Sequence, residues 1–441
     1  MKKFLGIDIG TTKAAAVITD EKGKLYAVAG APHYAGTPDE NGKAEQDVQK
    51  ILDCIWQVVE ELPSAERAEV AAIGVTGQMH SLLLGNGLGI SPLTTWQDQQ
   101  CSAEFLARIN ETAGVALRNG FGGTTLARLA AENALGNWDF CATVSDYLTA
   151  LLAGNDRIIT DPTHAASWGI FDVVEGMWNK DALEKLDIPI ELLPEVRPCG
   201  SVIGYLTEEY AGKLGLKSGI PIANAIGDNQ ASILGTGKDV SEEIYLTLGT
   251  GAQLSVVLEK HPGKVADALE VRPFPGNRFL LVAAPLCGGA AFAWLADTVN
   301  NFRRAFGEAE LPRHKLLDEL DLLGVAELEK GEADLTVVPQ FLGERHAPDA
   351  RGVISGLTLE NCTPGKLAAG MAAGIVRNLK SGFLPEQLLN RRKVIGSGNA
   401  VRLVKSIQIM IGREFGLPLE LADGREEAAT GAALQAARAE Y

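Results

Sequence analysis

A strand, a tight glycine turn and a second strand occupy the segment GIDIGTTKAAAVIT (Gly6–Thr19), and the same plan returns in EEIYLTLGTGAQLSVVLE (Glu242–Glu259). In each, apolar strand-forming residues flank a Gly-Thr centre, Gly10-Thr11 in the first and Gly249-Thr250 in the second. A glycine there removes the Cβ that would keep the backbone away from a ligand. A chain that uses this device twice is expected to form two halves of similar plan. Between the hairpins, Val48, Ile51, Leu52, Ile55, Val58 and Val59 recur at helical spacing and lead into the strand-like VAAIGVTGQMH, so strands and helices alternate. The class is therefore α/β. From Gly136 to Pro221 the pattern is irregular, with turn clusters AGNDR, TDPTH and LPEVRPCG, and reads as an elaborated substrate-side region. The halves are divided near Pro221, giving domains 1–222 and 223–441.

With 441 residues, 46% of them hydrophobic and 22% charged, the chain buries a large core. A net charge of −16 repels nucleic-acid phosphates and anionic membranes, so neither is expected as a partner. No run reaches the ~20 apolar residues of a membrane helix, and MKKFLGIDIGTTK is too short and glycine-rich in its apolar part for a signal segment. Six scattered cysteines, none in a CxxC pair, read as reduced thiols of a cytoplasmic protein.

The first hairpin offers Asp8, then Gly10, Thr11, Thr12 and Lys13. Turn amides and hydroxyls of this kind hold phosphate oxygens, and a carboxylate in that place holds a hydrated Mg²⁺ ion; a plain hairpin with a good turn sequence is the alternative. Gly249, Thr250 and Gly251 offer a second phosphate turn. Near the end, VIGSGNAVRLVKSIQIM sets a strand, the Gly396-Ser397-Gly398 turn with Asn399, and a helix, which suits either nucleotide approach or simple helix-start packing. Val401 fills the last position of a GxGxxG pattern, and no P-loop occurs, so a Rossmann or Walker site is excluded. Asp228, in NAIGDNQAS, ends a buried strand-like run just ahead of a helix. It suits a general base for a hydroxyl attacking phosphorus, a cap for a helix beginning at Asn229, or both. Gln78, Met79 and His80, with Trp96, Gln97 and Asp98, combine an apolar surface with several hydrogen-bonding groups, the mixture a sugar needs. A structural His80 and a core Trp96 remain the plainer readings.

The ordered series GIDIGTTK, TGQMH, WQD, GDNQAS, LGTGAQ, FLGERHAPDARGVISGL and the terminal GSG turn resembles the FGGY carbohydrate kinases across essentially the whole chain. GQMH with a nearby Trp…Asp is similar to the ketose-kinase branch, and WQD, GFGGTT (Gly120–Thr125) and TDPTHAASWGIFD (Thr160–Asp172) lean toward its sedoheptulokinases rather than its xylulokinases. The resemblance implies two actin-like, ribonuclease H-like domains with a nucleotide and sugar cleft between them. It implies an enzyme that moves the γ-phosphoryl of ATP to a primary hydroxyl of a ketose, sedoheptulose first and xylulose or another sugar or polyol as alternatives. Asp228 would be the catalytic base, Asp8 the Mg²⁺ ligand, and Gly10–Lys13, Gly249–Gly251, Gly396, Gly398 and Asn399 the nucleotide site. Gln78, Met79, His80, Trp96 and Asp98 would line the sugar pocket, and a homodimer is left open. The chain departs from the family at Gly251, where a serine is usual, at the GSGN stretch, at Ala373 in place of an acid, and at Ser81 in place of glycine. An actin-like or chaperone-like ATPase without a sugar, and a degenerate kinase acting as a sugar sensor, are the competing functions.

Overall fold

The computed structural model describes residues 2–37, 41–237, 239–331, 333–422, 424 and 426–439. The chain forms two compact units, one of Met1–Thr236, Arg272–Asn277 and Arg425–Tyr441, the other of Gly237–Val271 and Arg278–Gly424. Both are α/β, as the alternating pattern predicts.

In the first unit the strands Lys3–Ile9, Lys13–Thr19 and Leu25–Pro32 run antiparallel, and Val70–Gly77 lies parallel to the first of them. Pro221–Ala223 and Val202–Tyr205 extend the sheet beyond Val70–Gly77, where Ile226–Gly227 also pairs, which makes seven strands among the described residues. Successive residues of a strand face opposite sides. Leu5, Ile7 and Ile9 therefore pack with the helices Val48–Glu60 and Val144–Ala153, whereas Phe4 joins Ala429, Ala433 and Ala436 of the helix Glu427–Arg438. Gly6 and Asp8 share the face of Phe4, so Asp8 lies on the side that this last helix covers. The helical spacing that begins at Val48 is a helix from that residue, Val48–Glu60, because Asp47 caps it by accepting from the Gln49 and Lys50 amides; Glu45–Gln46 just before it form a short strand. Part of the irregular region shares a second core with the segment before it: Trp168 and Trp178 pack with Ile109 of the helix Ala103–Ala113 and Leu126 of the helix Gly122–Ala131, beside the helix Pro162–Ser167.

The second unit has a six-stranded sheet among the described residues, in the order Leu269–Phe274, Arg278–Ala283, Ala252–Leu258, Glu243–Leu248, Lys393–Ser397, Leu419–Leu421. Its central hairpin, Glu243–Leu248 with Ala252–Leu258, has the same antiparallel plan as Lys3–Ile9 with Lys13–Thr19. Ala373 is buried in the helix Pro364–Lys380, packed in this unit's apolar core. Among the described residues no helix is long and apolar enough to cross a membrane, and all six cysteines are free of disulfides.

Candidate active site

The first turn is closed by the Gly10 amide donating to the Lys13 carbonyl at 3.0 Å. Its remaining groups are held from below. Gln46 donates through Nε2 to the Thr11 carbonyl (2.6 Å), and Gln78 donates through its own Nε2 to Gln46 Oε1 (2.8 Å). His33 accepts the Ala35 amide at Nδ1, so its proton is on Nε2, which meets the Gly10 carbonyl at 3.1 Å. Trp96 donates from Nε1 to Thr11 Oγ1 at 2.8 Å while its ring stays 45% exposed, which is neither a core tryptophan nor one lying flat and covered. Thr11 is thus the residue at which the first turn, Gln46 and the loop bearing Trp96 meet. Gln46 and His33 carry no sequence signal, since each works across a gap in the chain that no period reports.

Asp8 is next to last in the strand Lys3–Ile9, on the face shared with Gly6. Its Oδ1 is buried and has no hydrogen-bond partner among the described residues. Burial pushes its carboxyl up to about 7, with the charges of Asp228 and Glu426 adding and that of Lys13 opposing. Glu426 precedes the covering helix in a left-handed conformation (φ 52°, ψ 54°), which costs a residue with a Cβ of order 1 kcal/mol or more. Its carboxylate holds Lys13 Nζ from both oxygens, at 2.7 and 2.9 Å. Three acids and one lysine therefore sit around the end of one strand.

Asp228 is the first residue of the helix Asp228–Thr236, one position earlier than expected for a cap. Its carboxyl is raised to about 6 by burial, against the pull of the Asn229 amide and the Arg272 guanidinium. Gly227 before it is hemmed in: a Cβ there would lie 2.8 Å from Gln230 Oε1 and 2.9 Å from Met79 Sδ. Met79 of the Gln78–His80 motif therefore packs against the residue that precedes Asp228. His80 follows with φ 70°, stacked on Phe121 at 4.6 Å. Its Nδ1 meets the Ser167 carbonyl at 2.5 Å, an acceptor only, so Nδ1 carries a proton. Gln78 Oε1 is buried without a partner among the described residues. Asp98 is nearly buried, and both of its oxygens already accept, from the Ala44 amide and from the amide and side chain of Gln100. Gly120, at φ 81°, lies against the Trp96 carbonyl, and Gly122 faces the Trp168 ring, so the glycines of GFGGTT let the chain pass close to both tryptophans.

In the second unit, the Gly288, Gly289 and Ala290 amides at the start of the helix Gly289–Ala305 donate to the carbonyls of Thr250 and Gly249. With the carbonyls of the turn engaged from that side, its conformation is held by the helix rather than by a side chain. Thr247 and Ser397 face each other in register and share a hydrogen bond of 2.8 Å. Gly398, at φ 87°, passes against the Leu248 carbonyl, where a Cβ would collide, and the exposed Asn399 opens the next helix.

Burial also raises two acids deeper in the first unit. Asp161 is pushed up to about 6, and Asp146 to about 8 despite the Thr143 and Thr160 hydroxyls that donate to its Oδ2 at 2.8 Å. A carboxyl whose folded value exceeds its unfolded one keeps its proton in the fold after the unfolded chain has lost it. The stability this confers is full below about pH 4 and is lost as pH rises through the folded values. Urea midpoints of the ligand-free protein are therefore expected to fall from about pH 5 to about pH 9, and Asp146→Asn to flatten the upper part of the fall. A midpoint that climbs over this range would contradict the assignment.

Residues 3–235 match the profile of the FGGY family of carbohydrate kinases, N-terminal domain, and residues 244–440 that of its C-terminal domain. The sedoheptulokinase of Mus musculus is 30% identical over 98% of this chain and 96% of its own length, and that of Homo sapiens is 29% identical over the same shares. Among solved structures, the xylulose kinase from Rhodospirillum rubrum superposes with a TM-score of 0.84 at 24% identity, covering 99% of this chain and 89% of that one. The chain belongs to the FGGY family of carbohydrate kinases: it is an ATP-using sugar kinase of the actin-like fold.

Proposed function

We propose that this chain phosphorylates a primary hydroxyl of a ketose, with sedoheptulose the preferred acceptor, and that Asp228 is the general base. The observation that carries the reading is the packing of Met79 against Gly227, which sets the sugar-side motif beside the half-buried Asp228. The hydroxyl oxygen attacks the γ-phosphorus, its proton passes to Asp228, the new P–O bond forms as the bond to the β,γ-bridging oxygen breaks, and ADP leaves. A base with a value near 6 is deprotonated at neutral pH and still basic enough to take a proton in the transition state. Gln78 Oε1 is an acceptor for another sugar hydroxyl, the His80 ring lies beside it in the motif as a further sugar contact, and the exposed Trp96 ring offers apolar surface to the carbon face. Asp98, already engaged at both oxygens, shapes the loop that bears Trp96 and reaches the sugar through it.

The orphaned Oδ1 of Asp8 fits a Mg²⁺ ligand, and no group of three or more metal-ligating side chains is found among the described residues, as suits an ion held by one carboxylate, waters and nucleotide phosphates. Bound there, Mg²⁺ would offset phosphate charge during transfer. The Gly10–Lys13 turn is assigned to phosphate, and Gly249–Gly251, Gly396, Gly398 and Asn399 to the nucleotide.

Sedoheptulose rests on the two relatives that bear its name. ADP release measured with sedoheptulose, xylulose and glycerol at equal concentration tests it. The highest kcat/KM is expected for the ketoheptose; a preference for glycerol would remove the ketose reading, and no stimulation by any sugar or polyol despite ATP binding would remove acceptor phosphorylation altogether.

A further inference from the structure

The short helix Pro162–Ser167 lies in the TDPTHAASWGIFD segment, whose residues the phosphoryl-transfer reading does not use. Its N-cap, Asp161, is fully buried and accepts at Oδ1 from the Thr163 amide (2.9 Å), the Thr163 hydroxyl (2.6 Å) and the His164 amide (3.0 Å). Capping alone explains the two amides. It does not explain the hydroxyl. A hydroxyl has one proton, and that of Thr163 goes to Asp161, which leaves its lone pairs for the Gly227 amide, donating at 2.8 Å across 64 positions of chain. On the other side of the same peptide, the Thr76 hydroxyl donates to the Ile226 carbonyl at 2.6 Å. The peptide that leads into Asp228 is thus clamped at its N–H and its C=O, and every clamping side chain is fully buried.

The far end of the helix does the same for the sugar side. The Ser167 hydroxyl donates to the His164 carbonyl at 2.6 Å, so its lone pair receives the His80 amide at 3.0 Å, and the Ser167 carbonyl receives His80 Nδ1–H. These two contacts hold His80 in its left-handed backbone conformation and fix which ring nitrogen bears the proton. Trp168, next in line, donates from Nε1 to the Ser81 carbonyl at 3.2 Å.

We infer that the segment Asp161–Ser167 is a positioning element that sets Asp228, through Thr163, at a fixed place relative to His80, which it holds through Ser167. The inference rests on the reading of Asp228 as base and His80 as sugar contact. Neither Thr163 nor Ser167 touches the reacting atoms; each acts through the residue it holds. Loss of the Thr163 arm displaces the base and so lowers the rate of the chemical step. Loss of the Ser167 arm loosens His80 and so weakens ketose binding.

Thr163→Val keeps the volume and removes the hydroxyl. It is expected to lower kcat about tenfold, the worth of one buried hydrogen bond expressed in the transition state, with ketose KM and nucleotide Kd within about twofold of wild type and recovery in Thr163→Ser. In an Asp228→Asn background the same change is expected to lower kcat by less than about twofold, because the group it positions is gone. Ser167→Ala removes only a hydroxyl, and is expected to raise ketose KM about fivefold with nucleotide Kd, measured by calorimetry, unchanged. An equal loss from Thr163→Val in both backgrounds overturns the first arm, as does an unchanged kcat; an unchanged ketose KM in Ser167→Ala overturns the second and stands even if Thr163→Val does not fold. Asp228→Asn alone reports on the base: if that variant keeps its turnover, the base reading fails; if it loses turnover while Thr163→Val does not, only the positioning fails.

Discussion

Asp228→Asn is expected to fold, to bind nucleotide as tightly as the parent, and to lose turnover by a factor of about 10² to 10⁴, the span of general-base removal. The exchange is close to isosteric, and the groups that hold the residue are not its own side chain: the Ile226 carbonyl and the Gly227 amide are held by Thr76 and Thr163. Burial is the chief cause of the raised value of Asp228, so an uncharged amide in the same place costs the fold less in desolvation than the ionised carboxylate does. What the amide cannot do is take a proton. Single-turnover rates at saturating ATP and ketose, set beside nucleotide Kd, separate the two effects. Turnover within a few-fold of the parent would return Asp228 to a helix-start role. The free-enzyme profile of the parent is expected to lose kcat/KM below about pH 6, where the base becomes protonated, and that limb should be missing from the residual activity of the variant, whereas a loss caused by protonation of Asp8 should persist in it.

The parts of this site that the sequence discloses are the local ones. A Gly-Thr centre between two apolar stretches favours a hairpin, so both glycine turns and the likeness of the two units can be read from residue order. Asp228 is visible because an acid at the end of a buried run is out of place unless something uses it. The supports are not visible. Gln46, Thr163 and Glu426 act over separations of 35, 64 and 413 positions, and no periodicity within a segment reports a contact of that range. Residue type also misleads where side chains have two possible partners. Asp98 reads as a sugar contact by composition, and its residue type does not disclose that the Ala44 amide and Gln100 also donate to its carboxylate. Trp96 looks like either core or sugar surface; its indole nitrogen is tied to Thr11 and its ring is exposed. Alanine-rich stretches near the end of the chain are plainly helical, but alanine fits against any smooth surface, and nothing in GAALQAAR says which sheet it covers.

That last helix gives the prediction with the largest expected effect on stability. Gly6 and Gly74 are directly paired neighbours in the first unit's sheet, and both face the helix Glu427–Arg438. A Cβ on Gly6 would enter the carbonyl of Ala429, and one on Gly74 the carbonyl of Ala432, each far inside 3.0 Å. On its other side the helix meets Asp228–Thr236 just as closely, with Gly431 against the Ala231 carbonyl and Gly235 against the Glu427 carbonyl. Every obstructing atom is backbone, so no rotamer change can make room. Gly74→Val must push the helix off the sheet, and a shift there moves both Glu426, which opens the helix, and the helix that begins with Asp228. The variant is expected to lose about 3 kcal/mol or more, the upper end of overpacking costs, read as a lower urea midpoint at unchanged slope. Gly212, inside the helix Glu208–Leu214, has nothing within 4 Å of its Cβ position, and Gly212→Ala is expected to raise stability by up to about 1 kcal/mol through helix propensity. If the two changes proved equally mild, the sheet and helix would have room between them, and the close glycine contact would not be what sets Asp8, Glu426 and Asp228 around one strand end.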